Sequence, residues 1–116
     1  MPESSEKINR IVVKNGSKIS VIPADSVQYI EAQDDYVMIY SRNGSFIKQK
    51  TMKFYEDNLN PEQFLRIHRS YIVNITEIKS LESPAKQTYK LLLKSGTALP
   101  VSKTGYSKLK DLVLNK

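Results

Sequence analysis

The 116-residue chain contains no cysteine, and this absence excludes disulfide bonds and thiolate chemistry. It has one histidine and no tryptophan. No apolar run approaches the roughly 20 residues that a membrane-spanning helix needs. The N-terminal stretch MPESSEKINR lacks the apolar segment of a secretion signal. Length and absences together predict a soluble, cytoplasmic protein of one domain, with no membrane as partner.

Catalytic and metal-binding groups are scarce as well. A single histidine, no cysteine and no glycine-rich phosphate loop leave neither a metal-ligand cluster nor a nucleophile with its base. The adjacent carboxylates Asp34 and Asp35 would point to opposite faces of a strand, which makes them a poor acid–base pair, and a loop suits them better. The sequence therefore predicts a protein that is not an enzyme and that uses no cofactor and no metal.

Positive charge is concentrated in the second half of the chain. Residues 1–60 hold eight lysines and arginines against eight aspartates and glutamates, whereas residues 61–116 hold ten against four. The net charge of +6 and the pI near 9.5 therefore come from the second half. Such asymmetry favours a polyanionic partner, nucleic acid first and an anionic membrane second. A lysine-rich solvated surface would explain the composition equally well.

Short β-type runs separated by turn signals dominate the chain from Ile11 onward. Asn-Gly pairs at 15–16 and 43–44 predict two hairpins, because these residues supply positive φ angles, and Ser-Gly at 95–96 predicts a third. Residues 82–87, ESPAKQ, are predicted to form a polar loop. The pattern indicates a mainly β, antiparallel fold over residues 10–116, preceded by a flexible leader or linker remnant at residues 1–9.

Two helices are predicted. Thr51 is a suitable N-cap for a short helix over residues 51–59, in which Met52, Tyr55 and Leu59 share one face. Ser102 is a suitable N-cap for a second, amphipathic helix, and the residues expected on its buried face are Tyr106, Leu109 and Val113. Gly105 is expected to weaken the first turn of this helix.

The stretch FLRIHRSYIVN, residues 64–74, predicts two core strands around a polar turn. Arg69 can bond guanine in bidentate fashion, and His68 can donate to a phosphate or a base edge. Ser70 and Asn74 can bond a phosphate or the backbone of their own turn, and His68 can equally brace the turn. The residues expected in or against the core are Phe64, Leu65, Ile67, Tyr71, Ile72 and Val73.

Two further segments are candidates for contact with an anion or a base. Ser102 and Lys103 begin the last helix, where free N–H groups and the helix dipole suit a phosphate. Alternatively, Ser102 is only a helix cap and Lys103 only a solvated surface residue. Gln33 and Tyr36 lie in EAQDDYVMIY and can meet base edges or phosphates. The neighbouring carboxylates Asp34 and Asp35 would repel a polyanion unless they turn away, and Tyr36 is equally suited to packing.

Three blocks in this order resemble the LytTR-type DNA-binding domain, the output module of many bacterial two-component response regulators. They are DSVQYIEAQDDYVMIY, FLRIHRSYIVNITEI and LPVSKTGYSKLK, within a resemblance that runs from about Ile11 to Leu114. It implies elongated, small antiparallel sheets with one or two short helices. It also implies sequence-specific binding of double-stranded promoter DNA by loops rather than by a recognition helix. The implied contacts are Gln33 to Tyr36, His68 with Arg69, and Ser102 with Lys103.

The resemblance also implies partners, namely a second copy in a dimer on DNA, an upstream receiver domain and a sensor kinase. This sequence shows no receiver domain, so both a C-terminal fragment and a stand-alone member stay open. Two other classes of function stay open as well. One is a protein-interaction or membrane-surface module that uses the basic half, and the other is a single-stranded nucleic-acid module that uses the seven tyrosines.

Overall fold

The computed structural model describes residues 8–114. They form a mainly β structure with principal extents of 48 × 34 × 24 Å, so the predicted elongated antiparallel fold is confirmed. The strands are β1 (Arg10–Asn15), β2 (Lys18–Pro23), β3 (Val27–Ala32), β4 (Val37–Ser41), β5 (Gly44–Lys48), β6 (Phe64–His68), β7 (Tyr71–Asn74), β8 (Ile78–Ala85), β9 (Thr88–Leu93) and β10 (Ala98–Pro100). The helices are α1 (Met52–Asn58) and α2 (Lys103–Leu114), and single 3-10 turns lie at Ala24–Ser26 and Ile75–Glu77.

The strands form three antiparallel sheets. The central sheet has the order β5-β4-β3-β7-β6. The strand FLRIH (β6) is therefore an edge strand, and the strand YIVN (β7) lies beside it. A separate hairpin contains β1 and β2, and a three-stranded sheet has the order β10-β9-β8. Because β3 pairs with β7, the first and the second block of the sequence motif lie side by side in one sheet.

Two hydrophobic clusters are present, and the central sheet contributes side chains to both. Ile30 and Ile72 belong to the first cluster, whereas Val73 belongs to the second and Tyr29 packs against it. Successive residues of a strand point to opposite faces, so this alternation shows that β3 and β7 are covered on both sides. The first cluster includes residues of the β1–β2 hairpin and of α1, and the second includes residues of β9, β10 and α2.

The three predicted hairpins are present, with the turn residues shifted slightly in two of them. Asn15 is paired with Lys18, so Gly16, with a φ of 64°, is the residue that needs a positive angle. Gly44, with a φ of 127°, begins β5 opposite Ser41 rather than occupying the turn itself. The asparagines precede the glycines but take ordinary negative φ angles, which corrects the expectation that both residues supply positive φ.

The predicted helix over residues 51–59 is confirmed as α1. The Thr51 hydroxyl oxygen accepts a hydrogen bond from the backbone N–H of Phe54 at 3.0 Å, which makes Thr51 the N-cap. Met52, Tyr55 and Leu59 are all buried, as their spacing predicts. Within residues 8–114, neither helix has the length and apolar character that a membrane span requires.

Two expectations were wrong, and one lies partly outside the described residues. The predicted polar loop at 82–87 belongs mostly to β8, whose partner β9 begins after only two turn residues. Val113 is 45% exposed, because α2 packs on the second cluster through Leu109 near its middle. Of the predicted leader, residues 1–7 are outside the described range, whereas the backbone N–H of Ile8 donates to the Asn58 carbonyl at 2.8 Å.

Candidate nucleic-acid interface

A β-bulge lies at the end of β6, just before the polar turn. Arg66 is paired with Ile72 and His68 with Tyr71, which leaves Ile67 as the extra residue. Bulges bend a strand and redirect the side chains that follow. Ile67 is fully buried in the second cluster, and the chain then reverses through Arg69 and Ser70 into β7.

His68 braces the turn and also keeps one ring nitrogen available. Its Nδ1 accepts a hydrogen bond from the backbone N–H of Ser70 at 3.1 Å, and its ring lies edge-on to Tyr71, with centroids 5.8 Å apart. Because Nδ1 is the acceptor, the neutral ring carries its proton on Nε2, which is therefore a hydrogen-bond donor. Both roles that the sequence left open for His68 are therefore compatible with one geometry.

Arg69 is exposed at the tip of the turn, and its backbone is held by a second arginine. The Nη2 of Arg66 donates to the Arg69 carbonyl at 2.6 Å, and its Nη1 donates to Glu56 Oε1 at 3.0 Å. Arg66 therefore connects α1 to the turn. The Nε atom of Arg66 is buried and has no hydrogen-bond partner among the described residues. The hydrogen bonds of the guanidinium are therefore made by Nη1 and Nη2.

The loop between β3 and β4 is tied directly to this turn. The backbone N–H of Ala32 donates to the Ser70 carbonyl at 2.8 Å, and that of Gln33 donates to the Tyr36 carbonyl at 2.9 Å, closing the loop. Gln33 is exposed, whereas Tyr36 is half-buried. The structure therefore brings the Gln33–Tyr36 loop beside the turn that carries His68, Arg69 and Ser70.

The start of α2 is tied to the same place from the other side. The backbone N–H of Ser102 donates to the Ile67 carbonyl at 2.8 Å, and the Ser102 hydroxyl oxygen accepts from the N–H of Gly105 at 2.9 Å. Ser102 is thus an N-cap, and Lys103 is exposed at the first helical position. A cation at this end opposes the helix dipole, a cost of about 0.3–1 kcal/mol that a bound anion would reverse.

Gly105 allows α2 to approach β6 this closely. A Cβ atom added at Gly105 would overlap the Ile67 carbonyl oxygen and would lie 2.8 Å from the Ile67 carbonyl carbon and 2.9 Å from its Cα. Only glycine fits against backbone at such a distance. The residue that appeared to weaken the helix in the sequence is therefore the one that sets the position of Lys103 relative to the β6–β7 turn.

The three loops together present mixed charge. Arg69 and Lys103 are exposed, and Lys50 lines a cleft that also contains Asp34 and Asp35. The Nζ of Lys50 lies 4.6 Å from the centroid of the Phe54 ring. Positive charge is thus available at all three loops, while the acidic pair is confined to the β3–β4 loop.

Asn74 and Ser70 differ in where the structure places them. Asn74 is completely buried. Its Nδ2 donates to the Val27 carbonyl at 2.8 Å, and its Oδ1 accepts from the Thr76 N–H at 3.1 Å and from the Thr76 hydroxyl at 2.8 Å. The sequence left open whether Asn74 bonds a phosphate or the backbone of its own turn, and in the structure its side chain bonds the turn. Ser70 is half-buried at the interface, where its backbone joins two loops.

A cluster of tyrosines around Glu31 lies on the central sheet behind the loops. Tyr40 donates to Glu31 Oε1 at 3.2 Å and Tyr71 donates to Glu31 Oε2 at 3.1 Å, while Tyr29 stacks on Tyr40 with ring centroids 4.4 Å apart. Burial, followed by the hydrogen bond and charge of Glu31, raises the pKa of Tyr71. The carboxylate of Glu31 is thereby occupied by phenol groups rather than directed at the loops.

Alkaline pH is expected to destabilise the domain through Tyr29. Burial, then the neighbouring Tyr40, Glu31 and Tyr71, raises the pKa of Tyr29 from 10.0 to about 12. Because the unfolded phenol loses its proton first, the stabilisation is complete below pH 10 and is lost as the pH rises towards about 12. Melting temperatures of the parent and of Tyr29→Phe over this pH range test the idea. The fall with pH should be shallower in the variant, and parallel curves would refute it.

No group of histidine, aspartate and glutamate side chains suited to a metal ion occurs within residues 8–114. The candidate interface instead consists of exposed donors on a frame of backbone hydrogen bonds. Three loops from distant parts of the sequence converge at one end of the central sheet, and their tips carry Gln33, Arg69 and Lys103. This arrangement can meet an extended, negatively charged partner at several points at once.

Comparison with known proteins identifies the family. The family model of the LytTr DNA-binding domain matches residues 17–114, which include all three loops. The chain belongs to this family. The recognition made from the three sequence blocks is therefore confirmed, and so is its assignment as a DNA-binding domain of the kind found in transcriptional response regulators.

A solved LytTr structure has the same fold. It is the LytTr DNA-binding domain of a protein described as a methyl-accepting/DNA response regulator from Bacillus cereus. It is similar with a TM-score of 0.82 and 25% sequence identity, covering 91% of this chain and 97% of that one.

Curated relatives match this chain over less than half of their own length. The sensory transduction protein LytT of Bacillus subtilis is 29% identical over 105 residues, which is 90% of this chain and 44% of LytT. The transcriptional regulatory protein YpdB of Escherichia coli K12 is 30% identical, over 83% of this chain and 40% of YpdB. The chain thus spans less than half the length of these relatives.

Sequence reasoning missed two residues that fix the position of loops in the candidate interface. Arg66 was interpreted only as part of the strand. Its position two residues before His68, in the string R-I-H-R, was the available signal that it could act on the turn. Gly105 was interpreted as a weak point of the helix, and nothing in the sequence alone indicates that its Cα would meet backbone. Both act on the position of the loops, through contacts between segments far apart in the chain.

Proposed function

We propose that this domain binds double-stranded promoter DNA sequence-specifically through the Gln33–Tyr36 loop, the His68–Ser70 turn and the start of α2. The observation that carries the proposal is the pair of backbone hydrogen bonds, Ala32 to Ser70 and Ser102 to Ile67, which join the three loops at one end of the sheet. Loops linked in this way keep a constant spacing, which is what simultaneous contact with a regular double helix needs.

The chemistry of the tips supports a division of roles. Arg69 can form paired hydrogen bonds with guanine O6 and N7, and Gln33 with adenine N6 and N7. Lys103 and the free N–H groups of α2 suit a phosphate, because both carry positive charge. Asp34 and Asp35 make phosphate contact at the β3–β4 loop unfavourable, so that loop is better suited to base edges in a groove. His68 Nε2 is a further donor toward a phosphate or a base.

The domain acts, in this proposal, as the output part of a bacterial response regulator that binds promoters as a dimer. A receiver domain and a sensor kinase would control it. Support comes from the names of relatives, which include a sensory transduction protein and a transcriptional regulatory protein, and from their greater length. Counting protein copies per duplex on a selected DNA fragment tests the dimer.

The alternative of single-stranded nucleic-acid binding has less support. Base stacking needs exposed aromatic faces, whereas Tyr29 stacks on Tyr40, and Tyr89 stacks on Tyr106 with centroids 4.3 Å apart. Titration with matched single-stranded and double-stranded oligonucleotides separates the two functions, and tighter binding of the single strand would overturn the proposal. The absence of binding to any duplex at low salt would favour a protein or membrane partner instead.

Replacing Lys103 by alanine is expected to weaken binding to all duplexes by a similar factor. A lysine that neutralises one phosphate contributes about 0.9 to the slope of log K against log salt, so the slope should fall by about that amount. Fluorescence anisotropy titrations over a range of salt concentrations measure both quantities, on a duplex selected from a random pool and on a scrambled one.

Lys94→Ala is the matched control for this experiment. Lys94 is equally exposed but lies at the other end of β9, where its backbone N–H donates to the Glu77 carbonyl at 2.8 Å. Glu77 in turn accepts from Arg42 at 2.7 Å, at the β4–β5 turn away from the three loops. If Lys103→Ala kept the salt slope of the parent, or if Lys94→Ala lost as much, the assignment of α2 to the phosphate backbone would be wrong.

A further inference from the structure

The hairpin between β8 and β9 ends on the same side of the molecule as the start of α2. Strand β10 runs antiparallel beside β9, with Pro100 opposite Lys90, and the backbone N–H of Val101 donates to the Tyr89 carbonyl at 3.1 Å. The chain that leaves β10 toward Ser102 therefore follows β9 in the direction of the β8–β9 turn. This turn consists of Lys86 and Gln87, because Ala85 and Thr88 are the last paired residues.

The hairpin is attached firmly to α2. Tyr89 stacks on Tyr106, with centroids 4.3 Å apart and an interplanar angle of 27°. Gln87 has a φ of 59°, an angle that a non-glycine residue adopts in tight turns, so the tip has a defined shape. The start of β9 and the second turn of α2 are thus packed against each other through these two rings.

The tip carries one positive charge that the rest of the hairpin leaves uncompensated. Lys86 is exposed and is the only charged residue between Ser83 and Tyr89. The nearest charges along the two strands, Glu82 and Lys90, form an ion pair with each other at 3.7 Å. A lysine in this position adds to the positive potential of Lys103 and of the α2 dipole.

We propose that the β8–β9 tip is a fourth DNA contact, in which Lys86 bonds the phosphate backbone beside the position of Lys103. This inference rests on the proposed function of the three loops. Lys86 precedes Tyr89 by three residues, a span of at most about 10 Å at the rise of an extended strand. The major groove is about 12 Å wide, so one duplex can reach both the tip and the start of α2.

The test compares Lys86→Ala and Lys86→Gln with the control Lys94→Ala from the opposite end of β9. The probes are a duplex selected from a random pool and a scrambled duplex, each titrated over a range of salt concentrations. Loss of one phosphate contact should lower the salt slope by about 0.9 and the affinity at 0.1 M salt by about eightfold, equally on both probes. Both Lys86 variants should behave alike, while the control should match the parent.

Two results would overturn the inference, and they are distinguishable from failure of the proposed function. If the Lys86 variants bind like the parent while Arg69→Ala binds weakly, the tip lies away from DNA and the three loops remain assigned. An equal loss in Lys94→Ala would show an effect of overall charge instead of a contact. If neither Lys86 nor Arg69 affects binding, the proposed function itself fails, and this inference with it.

Discussion

Replacing Arg69 by alanine should weaken binding to a selected duplex by about five- to 150-fold, the equivalent of about 1–3 kcal/mol for a bidentate contact with guanine. The effect should be concentrated at one base pair, because the arginine fork reads O6 and N7 of a single base. Arg69 is exposed, and its backbone is fixed through Arg66, so the substitution should leave the melting temperature unchanged. Binding assays on a series of single-base variants of the duplex measure the effect.

Arg69→Lys separates a base contact from a phosphate contact. Lysine keeps the charge but lacks the planar fork, so it should retain affinity for scrambled DNA while losing preference at the same base pair. If alanine instead weakened binding to all sequences equally, and lysine restored it, Arg69 would be a phosphate contact. Unchanged affinity of Arg69→Ala for every duplex would remove the β6–β7 turn from the interface.

Replacing Gly105 by alanine should destabilise the whole domain. The new Cβ would overlap the Ile67 backbone, which cannot move without breaking the bulge and the hydrogen bond from Ser102. Overpacking of this kind costs about 1–3 kcal/mol, and more where the obstacle is main chain. Each kcal/mol lowers the melting temperature of a domain of this size by about 4 °C. Calorimetry or thermal circular dichroism measures the change.

Thr104→Ala is the matched control, since Thr104 is exposed in the same helical turn. It should melt at or slightly above the parent temperature, because alanine is the better helix former. Below the melting temperature of Gly105→Ala, the folded variant should still bind DNA less tightly, since α2 is displaced from β6 and Lys103 with it. A Gly105→Ala protein with the parent stability and affinity would show that the close approach does not matter.

Much of the fold was predictable because its signals are local. The hairpins follow from glycine-containing turns between runs of alternating apolar residues, and α1 follows from Thr51 with Met52, Tyr55 and Leu59 at helical spacing. The split of the FLRIHRSYIVN stretch into buried and polar parts was predictable too, since the apolar residues on either side of His68 and Arg69 are buried or half-buried.

What escaped prediction depends on contacts between distant segments. The β8 strand continues through Ser83, Pro84 and Ala85, a composition typical of loops, and only its pairing with β9 makes it a strand. Its turn uses Gln87 at positive φ instead of the glycine that marks the other hairpins. The burial of Asn74 likewise follows from the Val27 carbonyl, 47 residues away in the chain. Local sequence pattern and composition do not predict contacts between segments that are this far apart in the chain.

The joining of the loops through main-chain atoms has a consequence for how such domains diverge. Every residue except proline offers the same N–H and carbonyl groups, so the Ala32–Ser70 and Ser102–Ile67 bonds survive exchange of the side chains at Gln33, Arg69 and Lys103. Recognition of a new base sequence can therefore evolve one tip at a time, without loss of the framework. The same property makes the domain a candidate for reprogramming by substitution at the tips, provided that glycine is retained at position 105.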